Sequence, residues 1–304
     1  MKILNFGSMG IDYVFAVDHF VKPGETLSTK GREIYCGGKG LNQSIALAKA
    51  GAEVYQAGAV GASDGGFLLD AMADSGVDVS LVRRLPQIGS QNALIQVNPQ
   101  GQNCILLYGG ANLALTKDML AQVFEGFEAG DYLVLQNEVN LVDRMIRMGH
   151  EKGMKVILNP SPLNEVIGTL PLELADLFIL NEVEGEGLCG VSDKEQMIYA
   201  LHKTFPQASI LLTLGGDGSA YLDPSLETPI CQPAFPVEAV DTTAAGDTFT
   251  GFLVAGLAAG LTVAKAMERA SAAAAISVTR HGAAPSIPTA KEVERFLKNQ
   301  TVPV

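Results

Sequence analysis

The sequence predicts an α/β protein with a mostly parallel central sheet and a small β-sheet lid, on three observations. From residue 131 onward, strand-length apolar runs alternate with helix-length runs, the pattern of βαβ units. Two strand-rich sections without helical period interrupt the N-terminal third, near 11–36 and 90–108. Glycine is plentiful (33 of 304 residues), aromatics are 6% and tryptophan is absent, which suits tightly packed α/β layers better than an aromatic-rich sandwich.

Taken in order, residues 2–7 form a buried first strand. The section from Gly10 to Gly38 has strand-like stretches around a Pro-Gly turn at Pro23-Gly24. LNQSIALAKA (41–50) is helical, VYQAGAV (54–60) is a strand, and GGFLLDAMADSG (65–76) is a helix stopped by Gly76. ALIQVNPQGQNCILLY (93–108) places two apolar runs around Asn98-Pro99-Gln100-Gly101, a hairpin signal. Strands follow near 131–136, 155–159, 176–180 and 209–214, with helices near 117–124, 140–152 and 193–204. Phe249 to Ala264, the most apolar segment, is expected to be a core helix, since it falls short of a spanning length and a carboxylate precedes it. The alanine run at 272–275 is helix-compatible. The two β sections can pair into a small separate sheet. Ligands of open α/β sheets sit beyond the carboxyl ends of the strands, so a sheet projecting there is a lid on a single domain, 1–304.

A net charge of -12 and the lack of any basic run argue against nucleic acid and against an anionic membrane as partner. The initial apolar run is too short for a signal peptide. Cys36, Cys104, Cys189 and Cys231 contain no C-x-x-C pair and are expected as free thiols in a reducing, cytoplasmic setting.

Two stretches carry chemistry. In DTTAAGDTFTGF (241–252), small residues run into the start of a helix, where backbone N–H groups are free and the dipole is positive. Small side chains let an anion approach closely. Asp247 can be a helix cap or a base beside an anion hole, and spacing alone leaves both open. In CGGKGLNQSIALAKAG (36–51), paired glycines enter a helix with Lys39 and Asn42 three residues apart. This is no Walker A loop, because Gly40 follows Lys39, and no G-x-G-x-x-G follows a strand, which disfavours a dehydrogenase.

Together GGKGLNQ and DTTAAGDTF resemble the ribokinase family of sugar kinases. The resemblance extends through GSMGID (7–12), PGET (23–26), GGAN (109–112), NPSP (159–162), NEVEGE (181–186), TLGGDG (213–218) and AAAAISVTRHGAAPSIP (272–288), nearly the whole chain. It implies a three-layer α/β/α sandwich with a β lid, a homodimer through that lid, and ATP-dependent phosphorylation of a sugar, D-ribose foremost, at its primary hydroxyl. By the same resemblance Asp247 is the catalytic base, and the backbone of Ala244, Ala245, Gly246 and Asp247 is the anion hole. Asp12, Gly38, Lys39, Asn42 and Glu138 contact the sugar, while Ala93 and Ile105 or Leu107 cover its apolar face. Asn181 and Glu184 position phosphate and Mg²⁺, Glu184 through water. Thr213, Gly215, Gly218 and Ser271 belong to the nucleotide site. Asp241, Thr243, Val278, Gly282 and Ser286 form a site for K⁺. The chain departs from the family pattern at Gly10, where Asn is usual, and at Ser271, where His is common. Deoxyribose or another pentose, a nucleoside, and a sugar-binding sensor without catalysis are the competing readings.

Overall fold

β1 (Ile3–Phe6) reads ILNF and is buried on both faces, as expected of a strand at the centre of a parallel sheet covered on both sides. The computed structural model of the protein describes residues 1–300 and places β1 there. The chain then leaves the sheet for β2 (Gly10–Ala16) and β3 (Gly31–Gly37), and returns through α1 (Lys39–Lys49) to β4 (Val54–Gly61), α2 (Gly66–Asp74) and β5 (Asp78–Leu85). A second departure makes β6 (Gln91–Val97) and β7 (Asn103–Tyr108). Next come α3 (Lys117–Phe124), β8 (Tyr132–Gln136), α4 (Val142–Glu151), β9 (Lys155–Asn159), β10 (Leu177–Asn181), α5 (Glu182–Cys189), α6 (Lys194–Thr204) and β11 (Ser209–Thr213). Two short strands, β12 (Ser219–Leu222) and β13 (Ile230–Gln232), precede helices α7 (Ala245–Ala258), α8 (Val263–Val278) and α9 (Ala290–Gln300).

The main sheet has the order β13-β12-β11-β10-β9-β8-β1-β4-β5. It is parallel from β5 to β11, and β12 and β13 add antiparallel edge pairing. Alternate strand residues feed two separate cores. Ile3, Val134, Ile157, Ile179 and Leu211 pack with Leu41, Leu68, Phe252 and Met267 on one face. Leu4, Leu133, Val156, Phe178 and Leu212 pack with Leu120, Ile146 and Ile198 on the other. Helices on both faces of one sheet give the expected three layers.

The two excursions pair into a second sheet of order β3-β2-β6-β7. Its β6–β7 hairpin turns at Asn98, whose carbonyl accepts from Gly101 N at 2.9 Å, with Gly101 at φ 76° supplying the left-handed residue. Both excursions spring from the carboxyl ends of main-sheet strands. The chain reverses its direction of strand addition between β1 and β8, so this end carries a topological switch point.

One expectation is corrected. The apolar segment 249–264 is not one helix: α7 ends at Ala258, Gly260 turns at φ 79°, and Thr262 caps α8 by accepting from Lys265 N. Residues 257–265 at the break are exposed or half-buried, and burial resumes at Ala266 because α7 and α8 fold back on each other; a Cβ on Gly256 would touch Ala266 Cβ at 3.0 Å. Strands β5, β12 and β13 and helices α5 and α9 lie outside the elements expected from the sequence.

Candidate active site

Two glycine-dependent contacts bring the chemistry-bearing stretches together. Gly38, at φ 97°, turns the chain from β3 into α1. Gly40 then packs against the backbone of Gly7 and Ser8 so closely that a Cβ has no room. On the opposite side, Gly251 of α7 sits against Ala46 and Leu47 of α1. The start of α7 is thereby fixed against the start of α1 at the switch point.

Asp247 lies at the third position of α7, yet it does not cap the helix. The N-cap is Ala244, in a left-handed conformation (φ 59°) without a side-chain cap bond. The Asp247 carboxylate turns to α1 instead, accepting from Asn42 Nδ2 at 3.1 Å and Gln43 Nε2 at 3.0 Å. It is only 8% exposed. Burial pushes its pKa above the ordinary carboxylate value; Lys39, Gln43 and Asn42 oppose that shift and Glu138 adds to it.

Beneath Asp247 runs a buried chain of neutral amides. Gln43 Nε2 also reaches Asn159 Oδ1 at 3.3 Å, and Gln43 Oε1 accepts from Gln136 Nε2 at 2.7 Å. Gln136 in turn donates to Asn5 Oδ1 at 2.9 Å, and Asn5 donates to Gly40 O at 2.7 Å. Gln43, Gln136, Asn5 and Asn159 were not among the expected site residues. Gln43 and Asn159 lie within quoted motifs, GLNQ and NPSP, which was the available signal.

At the first turn of α7 the N–H of Ala245 donates to Thr242 O at 3.3 Å, whereas those of Ala244, Gly246 and Asp247 have no acceptor among the described residues. A Cβ on Gly246 would meet nothing within 4 Å. This open space belongs to a cavity of about 240 Å³ lined by Lys39, Asn159, Ile179, Leu180, Asn181, Glu184, Thr213, Thr242, Ala244, Ala245, Gly246, Asp247 and Thr250. It lies at the carboxyl ends of β9, β10 and β11, where the fold places ligands. Burial pulls the Lys39 ammonium down, but Asp247, Glu138 and Glu184 together hold its pKa above the ordinary lysine value.

Of the remaining expected residues, Asn181, Glu184 and Thr213 line this cavity and the others do not. Glu138 accepts from the Ser8 hydroxyl and from Lys39 N at 3.1 Å. Asp12 leans over Gly37 and accepts no hydrogen bond among the described residues; burial first, and then Glu138, push its pKa up to about 6. The lid register aligns Asp12 with Ala93, and Ala93 with Leu107, whereas Ile105 pairs with Ile95 two residues along. Asn42 Oδ1 is buried and without a donor among the described residues.

Asn181 and Glu184 form a reciprocal capping box on α5: Glu184 N donates to Asn181 Oδ1 and Asn181 N to Glu184 Oε2, both at 3.0 Å. Glu184 is only 6% exposed, unlike an ordinary solvated helical carboxylate. Thr213 lines the cavity, but Gly215, Gly218 and Ser271 do not. Gly218 (φ 106°) shapes the tight turn from β11 to β12, and Ser271 lies near Pro233, its hydroxyl 3.4 Å from that carbonyl. Asp241 ties two loops together: Oδ1 accepts from Thr243 N and Oγ1, and Oδ2 from Gly282 N at 2.9 Å. Burial raises its pKa, but these hydrogen bonds outweigh it and leave it below the ordinary value. The Val278 carbonyl already accepts from Val240 N and Asp241 N, and the Ser286 hydroxyl from its buried site donates to Ala283 O.

Comparison with known proteins follows the same lines. The sequence model of pfkB family carbohydrate kinases matches residues 1–290. The ribokinase of Haemophilus influenzae is 36% identical over 300 residues, covering 96% of this chain and 97% of the relative. A deoxyribokinase of Salmonella typhi is 32% identical over 311 residues, covering 98% and 99%. The solved structure of Arabidopsis thaliana ribokinase complexed with ribose and ATP superposes with a TM-score of 0.89 at 31% identity, covering 98% of both chains.

Proposed function

The chain belongs to the pfkB family of carbohydrate kinases, and from that premise we propose that it transfers the γ-phosphoryl group of ATP to the primary 5-hydroxyl of D-ribose. The observation that carries this reading is the juxtaposition, in one cavity, of the buried Asp247 carboxylate with the unpartnered N–H groups of Gly246 and Asp247 at the start of α7.

In this reading the sugar lies between Asp12, Gly38, Lys39, Asn42 and Glu138, under Ala93 and Leu107 of the lid. Carboxylates, an ammonium and amides supply the acceptors and donors that a polyol needs. Asn42 holds Asp247 with its amide nitrogen and leaves Oδ1 to accept from a sugar hydroxyl. Asp247 takes the proton of the primary hydroxyl as that oxygen attacks the γ-phosphorus. The new O–P bond forms while the bond to the ADP oxygen breaks. A positioned base of this kind contributes about 10²–10⁴-fold in rate. The backbone from Ala244 to Asp247 stabilises charge on the transferring group, with Gly246 leaving the approach open. Lys39 sits among Asp247, Glu138 and Glu184 and links the sugar and phosphate ends. The nucleotide runs past Asn181, Glu184 and Thr213 toward the turn at Gly215 and Gly218, with Ser271 at its far end.

Two cations belong to the proposal. Both Glu184 oxygens already accept from Asn181, which fits Mg²⁺ held through water better than by direct ligation. Mg²⁺ supplies charge neutralisation at the phosphates. Asp241, Thr243 and Gly282 are already joined and offer the hard oxygen donors suited to K⁺, together with Ser286. Val278 contributes backbone to the same loop, but its carbonyl is occupied by two N–H donors. K⁺ supplies a fixed positive charge that steadies the loop leading into Ala244.

We also propose that residues 1–304 act as one cytoplasmic domain that dimerises through the lid, where Ile34, Leu94, Leu106 and Tyr108 are exposed on the face opposite Ala93 and Leu107. Such an apolar sheet face fits a partner copy. No helix among the described residues is long and apolar enough to cross a membrane. Deoxyribose is the second reading, favoured by the deoxyribokinase relative and by Gly10. The deciding experiment is a coupled ADP-release assay with ribose, deoxyribose, other pentoses, hexoses and nucleosides, with Mg²⁺ and with or without K⁺. Ribose is expected to give the highest kcat/KM; no ADP release with any pentose overturns the proposal.

A further inference from the structure

Gln91, the first residue of β6, stands where the lid joins the site. It is register partner to Gly10, which on its other side pairs with Gly37. Neither glycine has a side chain, and two neighbours lean across the space. A Cβ on Gly10 would lie 2.9 Å from Gln91 Nε2, and one on Gly37 would collide with the Asp12 carboxylate. Paired residues lie about 5 Å apart and project to one face. Gln91 and Asp12 therefore share a small patch of the face that also carries Ala93.

Backbone groups determine which end of the Gln91 amide points where. Met9 N can only donate, and it donates to Asn112 Oδ1 at 3.2 Å. Asn112 Nδ2 is therefore the donor end, giving hydrogen bonds to Met9 O at 3.2 Å and to Gln91 Oε1 at 2.7 Å. That leaves Gln91 Nε2 on the far side, over Gly10, with no acceptor among the described residues although the residue is only 6% exposed. The nearby Asp12 carboxylate likewise receives no hydrogen bond there. An unused donor beside an unused acceptor, both anchored on rigid strands, is complementary to a hydroxyl group, which accepts one bond and donates another.

From this geometry we infer that Gln91 is a specificity-determining residue that donates a hydrogen bond through Nε2 to a ring hydroxyl of the bound pentose, the hydroxyl that in turn donates a hydrogen bond to Asp12. The inference rests on the kinase reading above. It gives this chain, at Gly10, an amide delivered from the neighbouring strand instead of from β2 itself. It also makes the chain a discriminator between ribose and one of its monodeoxy analogues, because a site built to bond a hydroxyl rejects the sugar lacking it.

The test compares kcat/KM for ribose, 2-deoxyribose and 3-deoxyribose in the unaltered protein, in Gln91→Leu and in Gly10→Ala. Gln91→Leu removes the donor and keeps the bulk. Gly10→Ala keeps the donor and displaces it, since the new Cβ meets Nε2, Cδ and Cγ of the flexible Gln91 side chain. Both variants are expected to lose roughly 2- to 10-fold on ribose, the range of one hydrogen bond, and to lose nothing on the one analogue that lacks the hydroxyl in question. Thermal melting identifies a variant that fails to fold, in which case the other decides. Equal losses on all three sugars, or none on ribose, overturn the role of Gln91 and leave the kinase reading intact. No turnover of any pentose by the unaltered protein overturns both.

Discussion

Gln43 Nε2 lies 3.0 Å from Oδ1 of Asp247, and its own Oε1 is held at 2.7 Å by Gln136. The carboxylate proposed as the base is thus oriented by a neutral amide anchored in the sheet. A hydrogen bond to the charged form favours ionisation. Gln43→Leu is therefore expected to raise the Asp247 pKa further and move the acid limb of the kcat–pH profile upward, while the KM for sugar changes little. Hydrogen bonds to charged groups contribute about 1.5–3 kcal/mol, so kcat at neutral pH falls by on the order of 10-fold or more. An unmoved acid limb shows that Gln43 is only packing.

Asp247→Asn keeps the size of the side chain and removes the base. The variant is expected to fold, to bind ATP with near-normal affinity, and to lose at least ~10²-fold in kcat. Equilibrium binding of ATP and single-turnover kinetics separate these terms. Near-normal turnover excludes Asp247 as the proton acceptor.

The parallel sheet and both motif stretches could be read locally, because burial on two faces writes continuous apolar runs and small residues mark close approaches. What escaped reading lacked such local marks. DVSLVRRL in β5 pairs with β4 alone at the rim of the sheet and mixes exposed and half-buried positions, with two arginines among the exposed ones. The pairs β11–β12 and β12–β13 are short antiparallel edges, set by turn geometry at Gly218. Gln43, Gln136 and Asn5 look like surface amides in the sequence; only contacts across 93 and 131 residues show that they satisfy one another in the interior. The pair Asn181 and Glu184 was legible through the family resemblance, but its burial was not.

Two glycines of α7 separate activity from stability. A Cβ on Gly246 points into the open cavity, whereas one on Gly251 meets Ala46 and, at 2.8 Å, Leu47 N. Gly246→Val is expected to melt within a few degrees of the unaltered protein and to lose most phosphoryl transfer, because it fills the approach to the N–H groups. Gly251→Ala is expected to lose about 1–3 kcal/mol of stability from overpacking. Melting curves and kcat on the same preparations check both, and a stable, fully active Gly246→Val contradicts the anion-hole assignment.

Asp241 links the 241–243 and 282 loops one turn before Ala244. Exchanging K⁺ for a bulky organic cation is expected to lower kcat several-fold in the unaltered protein. Asp241→Ala should be slow in both media and insensitive to the exchange. Equal rates with and without K⁺ in the unaltered protein remove the monovalent cation from the proposal.

Asp12 gives a pH dependence of definite sign. Its pKa is pushed up to about 6 in the folded chain, against about 3.9 for an unfolded aspartate. The native state holds the proton more tightly, so the ionised side chain destabilises the fold above pH 6. That destabilisation fades as pH falls through 6 and is gone below about 4. Asp12→Asn is therefore expected to raise Tm at pH 8, with the advantage shrinking toward pH 4.5. The same protonation removes an acceptor from the proposed sugar site, so the KM for ribose in the unaltered protein should rise as pH drops below 6. A Tm difference between the two proteins that stays constant from pH 8 to pH 4.5 shows that Asp12 is not the strained carboxylate; a difference that narrows over that window identifies it as a carboxylate whose ionised form lowers the stability of the fold.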